Sequence, residues 1–304
     1  MLEGTVIKAA GGFFTVRHGS GTNFVCRARG NLKRGRSSVI VGDLVRFQPE
    51  HPADPKTSGP AGESPAARGV IEEKLPRRTE LSRPQVANID QLIVVMSLKD
   101  PPCDWQQTSR MFVLAESESM DALLCLNKLD LITEAELEQV KEQAGFYPYP
   151  VFYTSALTGT GIDELKVKLA RSCSVMAGPS GVGKSSLLNA IQPGLALQTG
   201  SVSDKIRRGR HTTRQAELMP LESGGMVVDT PGFSRLELTG IDKGELSSYF
   251  PELEQLRSGC AFRNCLHLQE PGCAVRQEVG VSINPERYRH YKYFMAEISS
   301  NAEG

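Results

Sequence analysis

The sequence predicts three parts in series: an N-terminal β-barrel, a central α/β domain on a mostly parallel sheet, and a small, mostly helical C-terminal module built around cysteines. Three observations predict this. Short strand-like pieces separated by glycine turns fill Leu2 to Phe47, apolar runs alternate with helical patterns from Asp90 to Thr230, and Cys260, Cys265 and Cys273 gather around His267. A length of 304 residues accommodates several domains, and the divisions are expected at 1–75, 76–240 and 241–304. Lys plus Arg number 35, as do Asp plus Glu, so the chain is neutral overall and any basic surface must be local. No apolar run approaches the length of a bilayer span, and the N-terminus opens into strand-like sequence without a signal or transit pattern. The expectation is a soluble, cytoplasmic protein, monomeric in solution, with no membrane partner. The cysteine total, 7, is odd, and Cys26, Cys103, Cys125 and Cys173 are scattered among apolar residues, which argues against a disulfide framework.

The first part reads as strands GTVIKA, FFTVRH, NFVCRAR and GDLVRF with a last strand near Val70 to Glu73, and an OB-fold is the barrel expected. Between them His51 to Gly69 is rich in Pro, Gly, Ser and Ala without a hydrophobic period, the pattern of a loop. Arg27, Arg29, Lys33, Arg34 and Arg36 crowd one turn. Phe13, Phe14 and Phe24 can either stack on nucleic acid bases or fill the barrel. Pro76 to Val86 then carries Arg77, Arg78 and Arg83 into the second part.

There, strands are expected at Leu92–Met96, Ala122–Leu126, Val151–Thr154, Ser174–Ala177 and Met226–Val228. Helices are expected near Trp105–Glu116, Thr133–Ala144 and Ile162–Arg171 and after the glycine-rich loop. Ligands of such sheets bind beyond the carboxyl ends of the strands, where every motif falls. Gly178, Pro179, Ser180, Gly181, Val182, Gly183, Lys184, Ser185 and Ser186 satisfy G-x-x-x-x-G-K-[ST] between a strand and a helix. Glycine lets successive amides converge on a phosphate, and the helix start adds the positive end of its dipole. Lys184 reaches the outer phosphates, and the Ser185 hydroxyl binds magnesium. Asn127, Lys128, Leu129 and Asp130 close an earlier strand. The Asp130 carboxylate can accept two hydrogen bonds from guanine where adenine offers no donor pair, and an unpaired buried acceptor penalises the wrong base. Ser155, Ala156 and Leu157 supply backbone amides for the base oxygen. Asp229, Thr230, Pro231 and Gly232 put a carboxylate near magnesium and an amide at the terminal phosphate, and Thr212 or Thr213, after His211, completes the magnesium shell.

The order of these motifs is unusual. Ordinary GTPases place the phosphate loop first and the N-K-x-D and S-A-x segments last; here NKLD and SAL come first. The same site survives if the original ends are joined and the chain is reopened elsewhere, so the central part is a circularly permuted P-loop GTPase domain. With this order, the chain resembles the RsgA (YjeQ) family of small-ribosomal-subunit biogenesis GTPases over nearly its full length. The resemblance implies an OB-fold, a permuted GTPase domain and a zinc-binding domain; docking on the small ribosomal subunit and its rRNA; and GTP hydrolysis to GDP, stimulated by the subunit and linked to release.

Cys260, Cys265, His267 and Cys273 form C-x4-C-x-H-x5-C, soft and imidazole ligands suited to one structural zinc ion in a segment too short to fold firmly on burial alone. Asn284-Pro285 reads as a helix cap and first turn. The helix carries Arg287, Tyr288, Arg289, His290, Tyr291, Lys292 and Tyr293, which either press on RNA or pack on the zinc module. In hydrolysis Lys184 stabilises the transferred phosphoryl group and Thr213 is catalytic through magnesium. Ras-like enzymes orient water with a glutamine after the DxxG glycine; this chain has Phe233, so intrinsic turnover should be slow, with His211 or a ribosomal group taking over. A switch at DTPG leads almost directly into the C-terminal module through Phe233 to Lys243 and can move it. Two other classes fit part of the pattern: a nucleic-acid-binding module with a vestigial nucleotide site, and a P-loop ATPase or kinase with a coincidental NKLD.

Overall fold

Alternation of buried and exposed side chains along the first strands is what closes the barrel. In a computed structural model, which describes residues 1–32, 38–50, 67–82, 85–195, 216–229, 238 and 240–301, β1 (Leu2–Ala10), β2 (Phe13–His18), β3 (Asn23–Ala28), β4 (Leu44–Pro49) and β5 (Ala67–Lys74) pair in the order β1-β2-β3-β5-β4. β4 returns to β1, with Leu2 opposite Phe47 and Thr5 opposite Leu44, so the barrel leaves no long open edge. Inward positions, among them Val6, Phe14, Val16, Cys26, Val45, Phe47 and Ile71, form its core. The last strand starts at Ala67, inside the stretch expected as loop, because Gly69 pairs with Cys26 on one side and Pro49 on the other. Small residues in a ladder give no β-propensity signal.

The described chain divides into two units. The first contains the barrel, a hairpin of β6 (Glu80–Ser82) and β7 (Gln85–Ala87), and three further strands. Of these, β11 (Cys173–Ala177) runs parallel to β13 (Met226–Asp229). β12 (Glu217–Pro220), absent from the sequence expectation, runs antiparallel to β13 and meets β1 through the Lys8–Glu217 pair. Asp43, fully buried, receives Arg77 Nε at 2.7 Å and Nη2 at 3.0 Å, and Arg77 also reaches Glu80. A buried carboxylate held by a bidentate guanidinium is satisfied, so Arg77 is committed to structure.

In the second unit β8 (Gln91–Ser97), β9 (Asp121–Asn127) and β10 (Val151–Tyr153) are parallel. Every residue of β8 is buried, the mark of a parallel strand covered on both faces. Helix α1 (Trp105–Ser117) starts on Asp104, whose carboxylate accepts from Gln107 N at 2.9 Å. Helix α2 (Glu134–Ala144) carries a Thr133–Glu136 capping box. Helix α3 (Ile162–Leu169) follows β10 and spans the division, and α4 (Lys184–Ile191) follows the glycine-rich loop. The same unit holds α5 (Pro251–Arg257), α6 (Ala274–Gln277) and α7 (Pro285–Asn301). Asn284 caps α7, accepting from Glu286 N at 2.7 Å and Arg287 N at 3.2 Å. The core under α7 contains Phe250, Leu253, Val275, Tyr288, Tyr291, Phe294 and Ile298 and includes Val113 of α1. No helix among the described residues is long and apolar enough to cross a membrane.

Candidate nucleotide site and candidate metal centre

Asn127, the last residue of β9, is buried, and its amide is spent on three contacts. Its Nδ2 donates to Val182 O at 2.9 Å, and its Oδ1 accepts from Thr154 Oγ1 at 3.3 Å and Ala156 N at 3.2 Å. One side chain therefore joins the NKLD segment, the SAL segment and the glycine-rich loop, three stretches far apart in sequence. The close approach demands glycine. A Cβ on Gly183, at φ 96°, would lie 2.3 Å from Asn127 Nδ2, and one on Gly178 would lie 2.1 Å from the Val95 carbonyl oxygen.

Asp130 accepts a short hydrogen bond from Ser155 Oγ, which also takes the Thr158 amide at 3.1 Å. The carboxylate is thus aimed from behind by a hydroxyl of the neighbouring loop. Lys128 adopts a left-handed backbone, and its ammonium donates to the Asp100 carbonyl. The amide of Ala156 already serves Asn127, and Leu157 is exposed. Lys184 Nζ donates to Gly178 O at 2.6 Å and Pro179 O at 2.8 Å, with no carboxylate ion-paired to it among the described residues. Burial holds its pKa below the ordinary lysine value; a partly desolvated cation balanced only by neutral carbonyls attracts an anion strongly.

Asp229 ends β13 opposite Glu217; its side chain, and Thr230, Pro231, Gly232, Phe233, His211, Thr212 and Thr213, lie outside the described residues. So do Lys33, Arg34, Arg36 and Arg83. On the barrel, Phe14 is buried and Phe24 packs on Phe47 with ring centroids 5.0 Å apart, so these two fill the core. Phe13 is exposed, with the Arg27 guanidinium 5.1 Å from its ring. Arg29 pairs with Glu72 at 2.6 Å.

The ligand atoms of Cys260, Cys265, His267 and Cys273 all lie within 4.8 Å of one another. His267 Nδ1 is 3.5 Å from Cys260 Sγ and 3.4 Å from Cys273 Sγ, and the two sulfurs are 4.0 Å apart. Zinc bonds of about 2.3 Å to sulfur and about 2.0–2.1 Å to nitrogen set tetrahedral ligand atoms roughly 3.5–3.8 Å apart, so the donor set fits that ion. Burial pushes the Cys265 thiol up to about 12; a bound cation is what would let such a thiol ionise. Glu270 was not singled out in the sequence. Its carboxylate accepts from Leu266 N and Leu268 N at 2.8 Å and Gln269 N at 3.0 Å. Burial opposes its ionisation, but the amides prevail and lower its pKa. A carboxylate five residues past a cysteine carries no motif, so only the folded loop reveals it.

The basic aromatic helix turns inward. Tyr288 and Tyr291 are buried and donate to the carbonyls of His267 at 2.6 Å and Leu266 at 2.7 Å. Arg287, also buried, donates to Glu252 at 2.8 Å and to Ser109 Oγ of α1 at 2.9 Å, and Ser109 lies 2.8 Å from His290 Nδ1. Tyr293 alone of the three tyrosines is exposed.

A family profile described as RsgA GTPase matches residues 74–239, and one described as RsgA N-terminal domain matches residues 3–54. The chain is 47% identical over 301 residues to the small ribosomal subunit biogenesis GTPase RsgA of Moorella thermoacetica, covering 98% of this chain and 97% of that one. It is 43% identical to the protein of the same name from Carboxydothermus hydrogenoformans, covering 99% of each. Among solved structures it is similar to YjeQ from Thermotoga maritima, with TM-score 0.82 and 38% identity over 97% of this chain and 98% of that one. It is similar also to YloQ, described as a circularly permuted GTPase, with TM-score 0.81 and 35% identity over 99% of this chain and 96% of the other.

Proposed function

The chain belongs to the RsgA family of circularly permuted GTPases and is a GTP hydrolase, and from that premise we propose that it binds the small ribosomal subunit through rRNA and assists its late maturation. Hydrolysis of GTP to GDP is stimulated by the subunit and linked to release. The protein acts in the cytoplasm as a monomer, in three domains, 1–75, 76–240 and 241–304. The observation that supports the reading is the triple engagement of Asn127, which ties the NKLD, SAL and glycine-rich segments together despite their inverted order.

In this reading Asp130, oriented by Ser155, accepts the two guanine donors, and the Leu157 amide serves the base oxygen, since the Ser155 and Ala156 amides are held by Thr160 O and Asn127 Oδ1. The amides from Pro179 to Ser186 cradle the phosphates at the start of α4. Lys184 leaves the carbonyls of Gly178 and Pro179 for the outer phosphates, where its charge stabilises the transferred phosphoryl group. Ser185, Thr212 or Thr213, and Asp229 would hold magnesium, which would neutralise phosphate charge. His211, or a group of the ribosome, orients the water that Phe233 cannot. Cys260, Cys265, His267 and Cys273 would hold zinc, and with four protein ligands its role would be structural.

The test is the GTPase rate with and without purified small subunits across a salt series. Stimulation that fades as salt rises is expected, because an electrostatic RNA interface releases counterions. Equal rates with and without subunits at every salt concentration would overturn the reading. Replacing His211 by Ala should lower the stimulated rate and leave GDP binding in place.

A further inference from the structure

Metal-bound histidines usually donate their second ring nitrogen to a carbonyl or carboxylate, which fixes the ring and strengthens the ligand. His267 lacks that support: its Nε2 is buried with no hydrogen-bond partner among the described residues. Its backbone is also left-handed, at φ 58°, a conformation that persists only where the surroundings enforce it. Yet Nδ1 faces the thiols. The ring must therefore be aimed from the backbone side.

Helix α7 supplies that aim. Tyr288 Oη donates to the His267 carbonyl at 2.6 Å, and Tyr291 Oη, one turn on, donates to the Leu266 carbonyl at 2.7 Å. The two phenols grip consecutive peptide groups, those flanking the turn that points the imidazole inward. The phenols are themselves fixed, because the neighbouring stripe of α7 is anchored. Arg287 lies with its guanidinium 4.5 Å from the Tyr147 ring and 4.7 Å from the Phe250 ring, bonded to Glu252 and Ser109, and Arg110 of α1 meets Glu297 through paired contacts at 2.7 and 2.5 Å. Glu270 holds the amides of the same loop and leaves these carbonyls to the tyrosines.

We propose that Tyr288 and Tyr291 are the positioning residues of the metal centre, replacing the missing support at Nε2 by clamping the Leu266–His267 backbone, so that retention of the metal is set by helix α7. The proposal rests on the zinc reading above. It gives the aromatic helix a task that neither its spacing nor the cysteine motif announces.

The experiment uses the full-length protein loaded with zinc, and follows transfer of the metal to a chromophoric chelator for Tyr288→Phe, Tyr291→Phe and the double variant. The phenylalanines keep the rings and remove only the donors. The double variant should release zinc about 10-fold faster or more, the range of losses at supporting residues of metal sites, and Tyr293→Phe should behave as the parent. With cobalt(II) in place of zinc, the visible bands of the double variant should shift toward those of His267→Ala, because the imidazole has turned away. Release and spectrum equal to the parent's would overturn the proposal, as would faster release with an unchanged spectrum, which would mean only a looser fold. A parent protein that takes up neither zinc nor cobalt would remove the zinc reading itself, and the proposal with it.

Discussion

In the proposed reading, recognition at Asp130 reduces to one carboxylate that accepts from Ser155 Oγ. Replacing Asp130 by Asn turns half of that acceptor into a donor and faces it with the guanine donors. The expected loss in GTP affinity is about 10- to 100-fold, the equivalent of roughly 1.5–3 kcal/mol for hydrogen bonds to a charged group, read by equilibrium titration of a fluorescent GDP analogue, with ATP affinity unaffected. Gly178 makes a second residue-scale prediction. A methyl group there would sit 2.1 Å from the Val95 carbonyl, and backbone cannot yield as a side chain can. Gly178→Ala should weaken the same analogue at least 10-fold and lower stability by about 1–3 kcal/mol, the usual cost of overpacking. His290 adds a pH dependence: burial, then the charge of Arg287, pulls its pKa down to about 4. The folded state keeps the ring neutral while the unfolded chain protonates it near the ordinary value of about 6.5. Stability is therefore full above that value and falls as pH drops toward 4, by something on the order of 3 kcal/mol. Trp105, the single tryptophan, lies 5.5 Å from the Tyr147 ring and reports this region. Urea unfolding followed by its fluorescence should show the slope, and His290→Gln should flatten it.

Among the elements, α7 has two working sides. Tyr288, Tyr291, Met295 and Ile298 belong to the core around the cysteines, whereas Arg287, His290 and Glu297 meet Ser109 and Arg110 of α1. Spacings of 3, 4 and 3 residues in the first set and of 3 and 7 in the second place them on adjacent stripes of one helix. The buried Arg287–Glu252 pair is expensive to break from one end. Arg287→Met should cost about 3–5 kcal/mol, because Glu252 is left charged and under-paired, and adding Glu252→Leu should recover much of the loss. Denaturant midpoints of the single and double variants, again read at Trp105, check this.

For the whole molecule, a metal held by the Cys260–Cys273 cluster would be coupled to the fold. The thiols must lose protons to bind zinc, burial holds the Cys265 thiol up at about 12, and burial keeps the His267 ring below its usual pKa and so neutral. Acidification should therefore release the metal by returning protons to its ligands. Chelation at neutral pH should lower the unfolding temperature reported by Trp105 and leave the barrel intact, since the barrel core is closed by its own residues. Differential scanning calorimetry with and without chelator would separate the two transitions.

The sequence by itself determined which segments are candidates for which chemistry. Phosphate, guanine and zinc each demand particular side chains at short spacings, so the stretch Gly178 to Ser186, the residues Asn127 to Asp130 and the cluster from Cys260 to Cys273 stood out as candidate sites without coordinates, and so did their permuted order. The continuous apolar run of β8 and the alternation of β2 announced their strands for the same local reason. Tertiary structure alone decided which residues are left over for partners. It buried Phe14, laid the half-buried Phe24 on Phe47 and exposed Phe13, committed Arg77 to Asp43, turned Tyr288 and Tyr291 onto the loop of Leu266 and His267, and gave Asn127 its three partners. Spacing along a chain fixes which neighbours a side chain has within a turn or two. Its distant partners follow from how the elements pack, and no run of a few residues encodes that.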